Sequence, residues 1–349
     1  MSESQVRLDD RKATILRAIV SHYVRSGEPV GSKTVVEKFP VKVSAATVRN
    51  EMASLEAAGF IFQPHTSAGR IPTDAGYRYF VDEWSGRSRL SNLEARRIEN
   101  FFVDATWELE ESLRRTASLL SGLTHHAAVV FAPSLDRSVV RHLELVPLGV
   151  DRAMLVLVTN TGRVENHVVL VSEGLDEVQL DQTAEMLNRI VVGGPLESAA
   201  QTVTEAVDSF PLEFRETVTQ VARVIADEMT RDEGDRVFLE GTSNIVDEQK
   251  FSDLETVRQV ISALEHRRIL LELAAEALAV DRVTVRIGHE NSIEEMQSCS
   301  VITTAYGSEG VALGSLGIVG PTRMDYGRTI AAVNEVAVHL GRMLNGPWT

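Results

Sequence analysis

The chain has 349 residues, 44% of them apolar, and a net charge of −15; because domains usually hold roughly 100 to 200 residues, the length predicts two or three units with ample cores. One cysteine excludes an intrachain disulfide framework or a thiolate zinc finger and fits a reducing cytoplasm; the charged start from Glu3 to Lys12 lacks a signal core, and apolar runs such as residues 154–158 are too short to span a bilayer. Taken whole, −15 argues against a nucleic-acid binder, yet residues 1–90 hold thirteen Lys/Arg against ten Asp/Glu while the remainder holds twenty-two against forty, so a mildly basic head precedes an acidic body.

Asp9 or Asp10 can cap a first helix in which Ile15, Ile19 and Tyr23 recur every fourth residue, ending at Ser26-Gly27. Ser32 is placed to cap a short second helix carrying Val35, Val36 and Phe39, closed by Pro40. Ser44 is placed to cap a third, and Gly59 follows its last turn. Residues 60–63 are short and apolar, 64–69 are rich in turn residues, and Arg70-Ile71 resumes the chain, which predicts a hairpin with its tip near Ser67-Ala68-Gly69. Three helices and a wing make a winged helix-turn-helix domain.

Beyond Trp84, Ser91 and Glu94 form a capping box for a helical stretch over roughly 91–122, with Leu109, Leu113, Ala117 and Leu120 near one face. Strands are predicted at 127–131, 139–146, 153–159 and 164–171, the last two joined by Asn160-Thr161-Gly162. Residues 176–275 then read as mainly helical, before strands return at 283–287, 301–306 and 311–319 and a final amphipathic helix carries Ile330, Val333, Ala337, Leu340 and Leu344. A strand-rich module interrupted by a helical one and then completed predicts an inserted domain.

On a helix beginning at Ser44, Val48, Met52 and Leu55 share one arc and should pack on the first two helices. The opposite arc centres on Asn50, with Ala46 and Ala53 beside it and Thr47 and Arg49 at its edges. Alanines let a backbone approach base pairs and touch a thymine methyl, asparagine can bond an adenine edge, and arginine can bond guanine or a phosphate. The order of short helix, tight turn, third helix and hairpin makes this a double-stranded DNA reader. Arg70 is placed to reach a phosphate or the narrow minor groove from the wing, with His65, Thr66 and Ser67 adding hydrogen bonds. Lys33 and Thr34 begin the second helix, where backbone phosphates usually lie; a solvated lysine explains Lys33 nearly as well.

Four segments, in order, are Gly27-Glu28-Pro29-Val30-Gly31-Ser32, the third helix from Ser44 to Met52, His65-Thr66-Ser67-Ala68-Gly69-Arg70-Ile71-Pro72-Thr73, and Gly320-Pro321-Thr322-Arg323-Met324-Asp325-Tyr326. Their sequence and spacing resemble the HrcA family of bacterial heat-inducible transcription repressors. That resemblance implies an α+β multidomain fold: a winged helix-turn-helix domain (1–84), a helical linker (85–124), and a GAF-like α/β domain (125–171 and 276–349) interrupted by a mainly helical inserted dimerising domain (172–275). It also implies a homodimer that represses chaperone operons in heat-shock stress response, binds an inverted-repeat operator called CIRCE, and is kept active by the GroEL chaperonin. Two-fold symmetry would give each half-site one head.

His125-His126 lacks nearby ligands at metal spacing and reads as structural. Gly310, Gly314, Gly317 and Gly320 suit bends in packed strands better than a phosphate loop, since no dinucleotide fingerprint or P-loop lysine accompanies them. The 320–326 segment should join the last strand to the final helix, with Arg323 and Asp325 fixing the turn or an interdomain contact. No ordered catalytic set and no cofactor site emerges, so an enzyme is disfavoured. The runner-up is a metabolite-sensing repressor with a ligand in its GAF-like domain.

Overall fold

A computed structural model describes residues 8–66, 68–84, 89–103, 108–133, 138–172, 174–231, 237–245, 254–280, 282–308 and 311–345, and folds them as a mixed α+β protein. The head holds α1 (Asp10–Ser26), α2 (Ser32–Lys38), α3 (Ala45–Ala57), a two-stranded hairpin of β1 (Ile61–Phe62) and β2 (Ile71–Pro72), and α4 (Asp74–Trp84). Asp9 caps α1 by accepting from the Lys12 amide at 2.9 Å, and Gly27 ends it at φ 72°, a conformation glycine adopts without strain. Ser32 is not the cap predicted for α2: Gly31 occupies that position, and Ser32 is the first helical residue, buried. The chain does not stop at three helices, because α4 packs Tyr77 and Val81 into the same core.

The helical stretch after the head is two helices, α5 (Asn92–Val103) and α6 (Leu109–Thr124), rather than one. Ser91 and Glu94 do make reciprocal capping bonds, the Ser91 amide donating to Glu94 at 2.9 Å and the Glu94 amide to Ser91 Oγ at 3.3 Å. Next come β3 (Ala127–Phe131), β4 (Val140–Pro147), β5 (Arg152–Thr159), β6 (Val164–Leu170), α7 (Glu177–Val191), α8 (Leu196–Ala206), α9 (Arg215–Arg231), β7 (Val237–Glu240), α10 (Leu254–Glu265), α11 (Arg267–Leu278), β8 (Thr284–Ile287), β9 (Cys299–Ser308), β10 (Val311–Pro321) and α12 (Tyr326–Asn345).

The strands divide between two antiparallel sheets. One has the order β7-β3-β10-β9-β8, the other β4-β5-β6. In the larger sheet both faces are covered, which explains why β3 is apolar without alternation: Ala128 and Val130 face α6 and α12, while Ala127, Val129 and Phe131 face α10 and α11. The smaller sheet packs one face on α7, α8 and α9 through Leu143, Leu155, Leu157, Leu187, Val203 and Val221. These two groupings shift the interruption from the predicted 172–275. Strands β4 to β6 belong with the helices that follow them, and β7, inside the region read as mainly helical, completes the larger sheet. Phe131 and Val237 are register partners at the ends of β3 and β7. The intervening module therefore leaves and re-enters the sheet at adjacent points, where insertion disturbs the parent fold least.

The glycines of β10 serve close packing. A Cβ on Gly320 would lie 2.6 Å from His126 Nδ1, and β10 shifts register between Ala312 and Gly314; Gly310 lies outside the described residues. His126 is correspondingly buried, and His125 ends α6 in a left-handed conformation.

Candidate nucleic-acid interface

Helix α3 separates its two faces as its sequence arc requires. Val48, Met52 and Leu55 are buried in the head core, whereas Ala46, Arg49, Asn50 and Ala53 are exposed. Ser44 is the cap: its Oγ accepts from the Thr47 amide at 3.2 Å and lies 3.0 Å from the Thr47 hydroxyl, so both side chains set the start of the helix. Neither Arg49 nor Asn50 has a side-chain hydrogen-bond partner among the described residues, which leaves their donors and acceptors pointed outward for another molecule. Lys33 is exposed at the start of α2, and Thr34 is half-buried beside it. Sequence reasoning passed over Lys42, which is exposed in the turn leading to α3; its position just before a helix N-terminus was the available signal. Other head cations are committed elsewhere: Lys12 pairs with Asp9 and Glu51, which hold its pKa above the usual lysine value, and Arg11 pairs with Glu51.

The wing is tied back to the chain before α2. Val30 and Arg70 exchange backbone hydrogen bonds of 2.9 Å in both directions, and Gly69 is required beside them because a Cβ there would lie 2.5 Å from the Val30 backbone. Gln63 Nε2 holds the loop by donating to the carbonyls of Thr66 and Ala68, each at 2.9 Å. His65 and Thr66 are exposed on this loop, while Ser67 lies outside the described residues. Arg70 is not extended toward solvent. Its Nε and Nη2 donate to one oxygen of Glu56 on α3 at 3.0 and 2.9 Å, so the guanidinium clamps the wing against the third helix.

Helix α4 mounts this surface on the body. Arg78 forms a two-pronged pair with Glu290, its Nε donating at 2.8 Å, and its Nη2 also donates to the Val285 carbonyl at 2.6 Å. Burial opposes the Arg78 cation, but Glu290 outweighs it and raises the pKa above the ordinary guanidinium value. The Asp74 carboxylate accepts from the His289 amide at 3.0 Å and faces His289 Nδ1 at 2.8 Å. The rings of Tyr77 and Tyr326 lie 5.6 Å apart, and the Arg323 guanidinium rests against Gly27 at the end of α1. Gly320 to Tyr326 thus joins β10 to α12 and touches the head at two points. The alternation Tyr77, Val81, Trp84 at helical spacing could have revealed α4; its partners on the body could not be read from so distant a segment.

Comparison with known proteins follows the same outline. Residues 110–330 match the family profile described as HrcA protein C terminal domain. A heat-inducible transcription repressor HrcA from Thermobifida fusca is 46% identical over 342 residues, covering 97% of this chain and 98% of that protein. The protein of the same name from Nocardia farcinica is 44% identical over 337 residues, covering 96% and 97%. A crystal structure of a hypothetical protein shares the fold, with a TM-score of 0.67 at 24% identity over 97% of this chain and 99% of its own.

Proposed function

Because the chain belongs to the HrcA family of heat-inducible transcription repressors, we propose that it is a cytoplasmic, non-enzymatic repressor of chaperone operons whose head is a winged helix-turn-helix reading double-stranded DNA. The observation that carries this reading is the outward face of α3, where Ala46, Arg49, Asn50 and Ala53 are exposed around donors and acceptors that no described residue uses. In a major groove, Asn50 bonds an adenine edge, Arg49 a guanine or phosphate, and Ala46 lies against a thymine methyl. Lys33, Thr34 and Lys42 face the backbone phosphates, as do His65, Thr66 and Ser67 from the wing. Arg70 reaches DNA only by releasing Glu56.

The five-stranded sheet with helices on both faces is the GAF-like domain in this reading, and the interrupting module is the dimerising one. The outer face of β6 supports that role, since Val164, Val168 and Leu170 are 51, 60 and 55% exposed, a patch that suits a second copy. A two-fold dimer presents two α3 helices to the equal half-sites of the CIRCE inverted repeat. The ion pairs of α4 hold each head to its body, so the body sets their separation. Exposed apolar surface is also what the GroEL chaperonin would hold, keeping the repressor active until heat fills the chaperonin with other clients.

The test is a gel shift with purified protein on an inverted-repeat operator, with and without chaperonin, alongside a mass measurement by light scattering. A shifted complex of one dimer per operator is expected. Failure to shift the operator in both conditions would sink the proposal.

A further inference from the structure

A cleft of about 630 Å³ lies where the head meets the body, between the end of α1, the outer side of the wing, the start of α4 and the turn after β10. That volume is within the range of roughly 300 to 1,000 Å³ usual for small-molecule sites. Its walls are chemically divided. The head supplies Tyr23, Phe62 and Ile71, and Phe62 is 44% exposed, an aromatic face left open to the space. The body supplies Arg323 and His289.

Tyr77 also borders the cleft. It is only 3% exposed, and its hydroxyl has no hydrogen-bond partner among the described residues. A buried donor left unpaired destabilises a fold, and such groups in native proteins call for a partner from outside the chain. The charges indicate which kind. The acidic group of the cleft, Asp74, is already occupied by the His289 amide and ring Nδ1, which leaves Nε2 of that ring uncommitted to Asp74. Arg323 brings a guanidinium with five donors, more than its contact at the end of α1 can use.

We propose that this cleft binds a small organic anion with a flat apolar body. The anionic group lies on Arg323 and accepts a hydrogen bond from the Tyr77 hydroxyl, while the body of the ligand stacks on Phe62 and against Ile71 and Tyr23. Since head and body both contribute walls, the ligand binds the docked arrangement better than any other and restrains the head in it.

Calorimetric titration of the full-length protein with benzoate and with phenyl phosphate tests this, with inorganic phosphate and benzyl alcohol as probes of charge alone and apolar body alone. Saturable binding of one aromatic anion per chain is expected, with both control probes weaker. Tyr77→Phe removes only the unpaired hydroxyl; it should keep or raise the melting temperature and weaken the aromatic anion about ten-fold or more. Asn50→Ala, on the DNA face, should leave probe binding unchanged, so loss of operator recognition and loss of this site are read separately. No saturable binding of either aromatic anion, or equal binding by Tyr77→Phe, overturns the proposal. So does a Tyr77→Phe protein that melts lower and binds the probes as before, because the hydroxyl then serves the unliganded fold.

Discussion

Helices α3 and α4 belong to one small head and differ in what their polar groups do. On α3, the outward residues are small or carry hydrogen-bonding groups without an intramolecular partner, and the anchoring side chains Val48, Met52 and Leu55 are all apolar. On α4, Asp74, Tyr77 and Arg78 turn toward the body, and Arg78 and Asp74 are fully engaged there with Glu290 and His289. A surface that must read another molecule keeps its donors and acceptors uncommitted. A surface that must hold position commits them, at the cost of desolvating charge. Substitutions on the two helices should therefore divide into losses of recognition and losses of stability.

The largest stability loss is expected from Gly76→Val. A side chain at this position of α4 would collide with the Phe60 backbone carbonyl, which cannot rotate aside. Thermal unfolding should show a loss of about 3 kcal/mol; an unchanged melting curve would mean that α4 does not press on the hairpin. Arg78→Ala follows. It leaves the half-buried Glu290 carboxylate without its guanidinium, and because side-chain exposures of 29 and 34% allow partial hydration, about 2 kcal/mol is expected in denaturant unfolding. The double substitution Arg78→Ala with Glu290→Ala should recover part of that loss; strictly additive losses would deny the pair any coupling.

What could be read in the sequence follows the range of the interactions. The faces of α3 and the Ser91/Glu94 box are local, set by spacings of three and four residues, and the structure has both. The position of the insertion was misjudged because alternating strands such as β4 to β6 look alike in sequence whichever sheet they join, and pairing partners such as Phe131 and Val237 lie far apart. The mount was invisible for the same reason: Arg78 and Glu290 are 212 residues apart. Arg70 was legible as a wing arginine, but Glu56 on the preceding helix could not be recognised as its partner without the turn that brings them together.

Asn50→Ala tests the other side of the comparison. With no intramolecular bond to lose and an exposed helical position, its stability should stay within about 0.5 kcal/mol of the parent. Operator affinity, measured by fluorescence anisotropy at fixed salt, should fall by about 1–3 kcal/mol through loss of an adenine contact. Equal affinity for both proteins would remove α3 from the groove.

Arg70 is the residue on which the two classes meet, since it lies on the reading side and is committed like a mounting residue. Glu56→Gln separates them with the smallest structural change. The pair is partly exposed, 24% for Arg70 and 33% for Glu56, so stability should change by less than about 1 kcal/mol. If Arg70 leaves Glu56 to contact a phosphate, the substitution weakens the competing partner and removes a negative charge near DNA. Operator affinity then rises, and its logarithmic dependence on salt steepens by up to about 0.9, the value for one added phosphate contact. If Arg70 instead serves only to hold the wing against α3, the same substitution loosens the wing, and affinity falls with the salt slope unchanged. The sign of the affinity change and the slope together assign the residue.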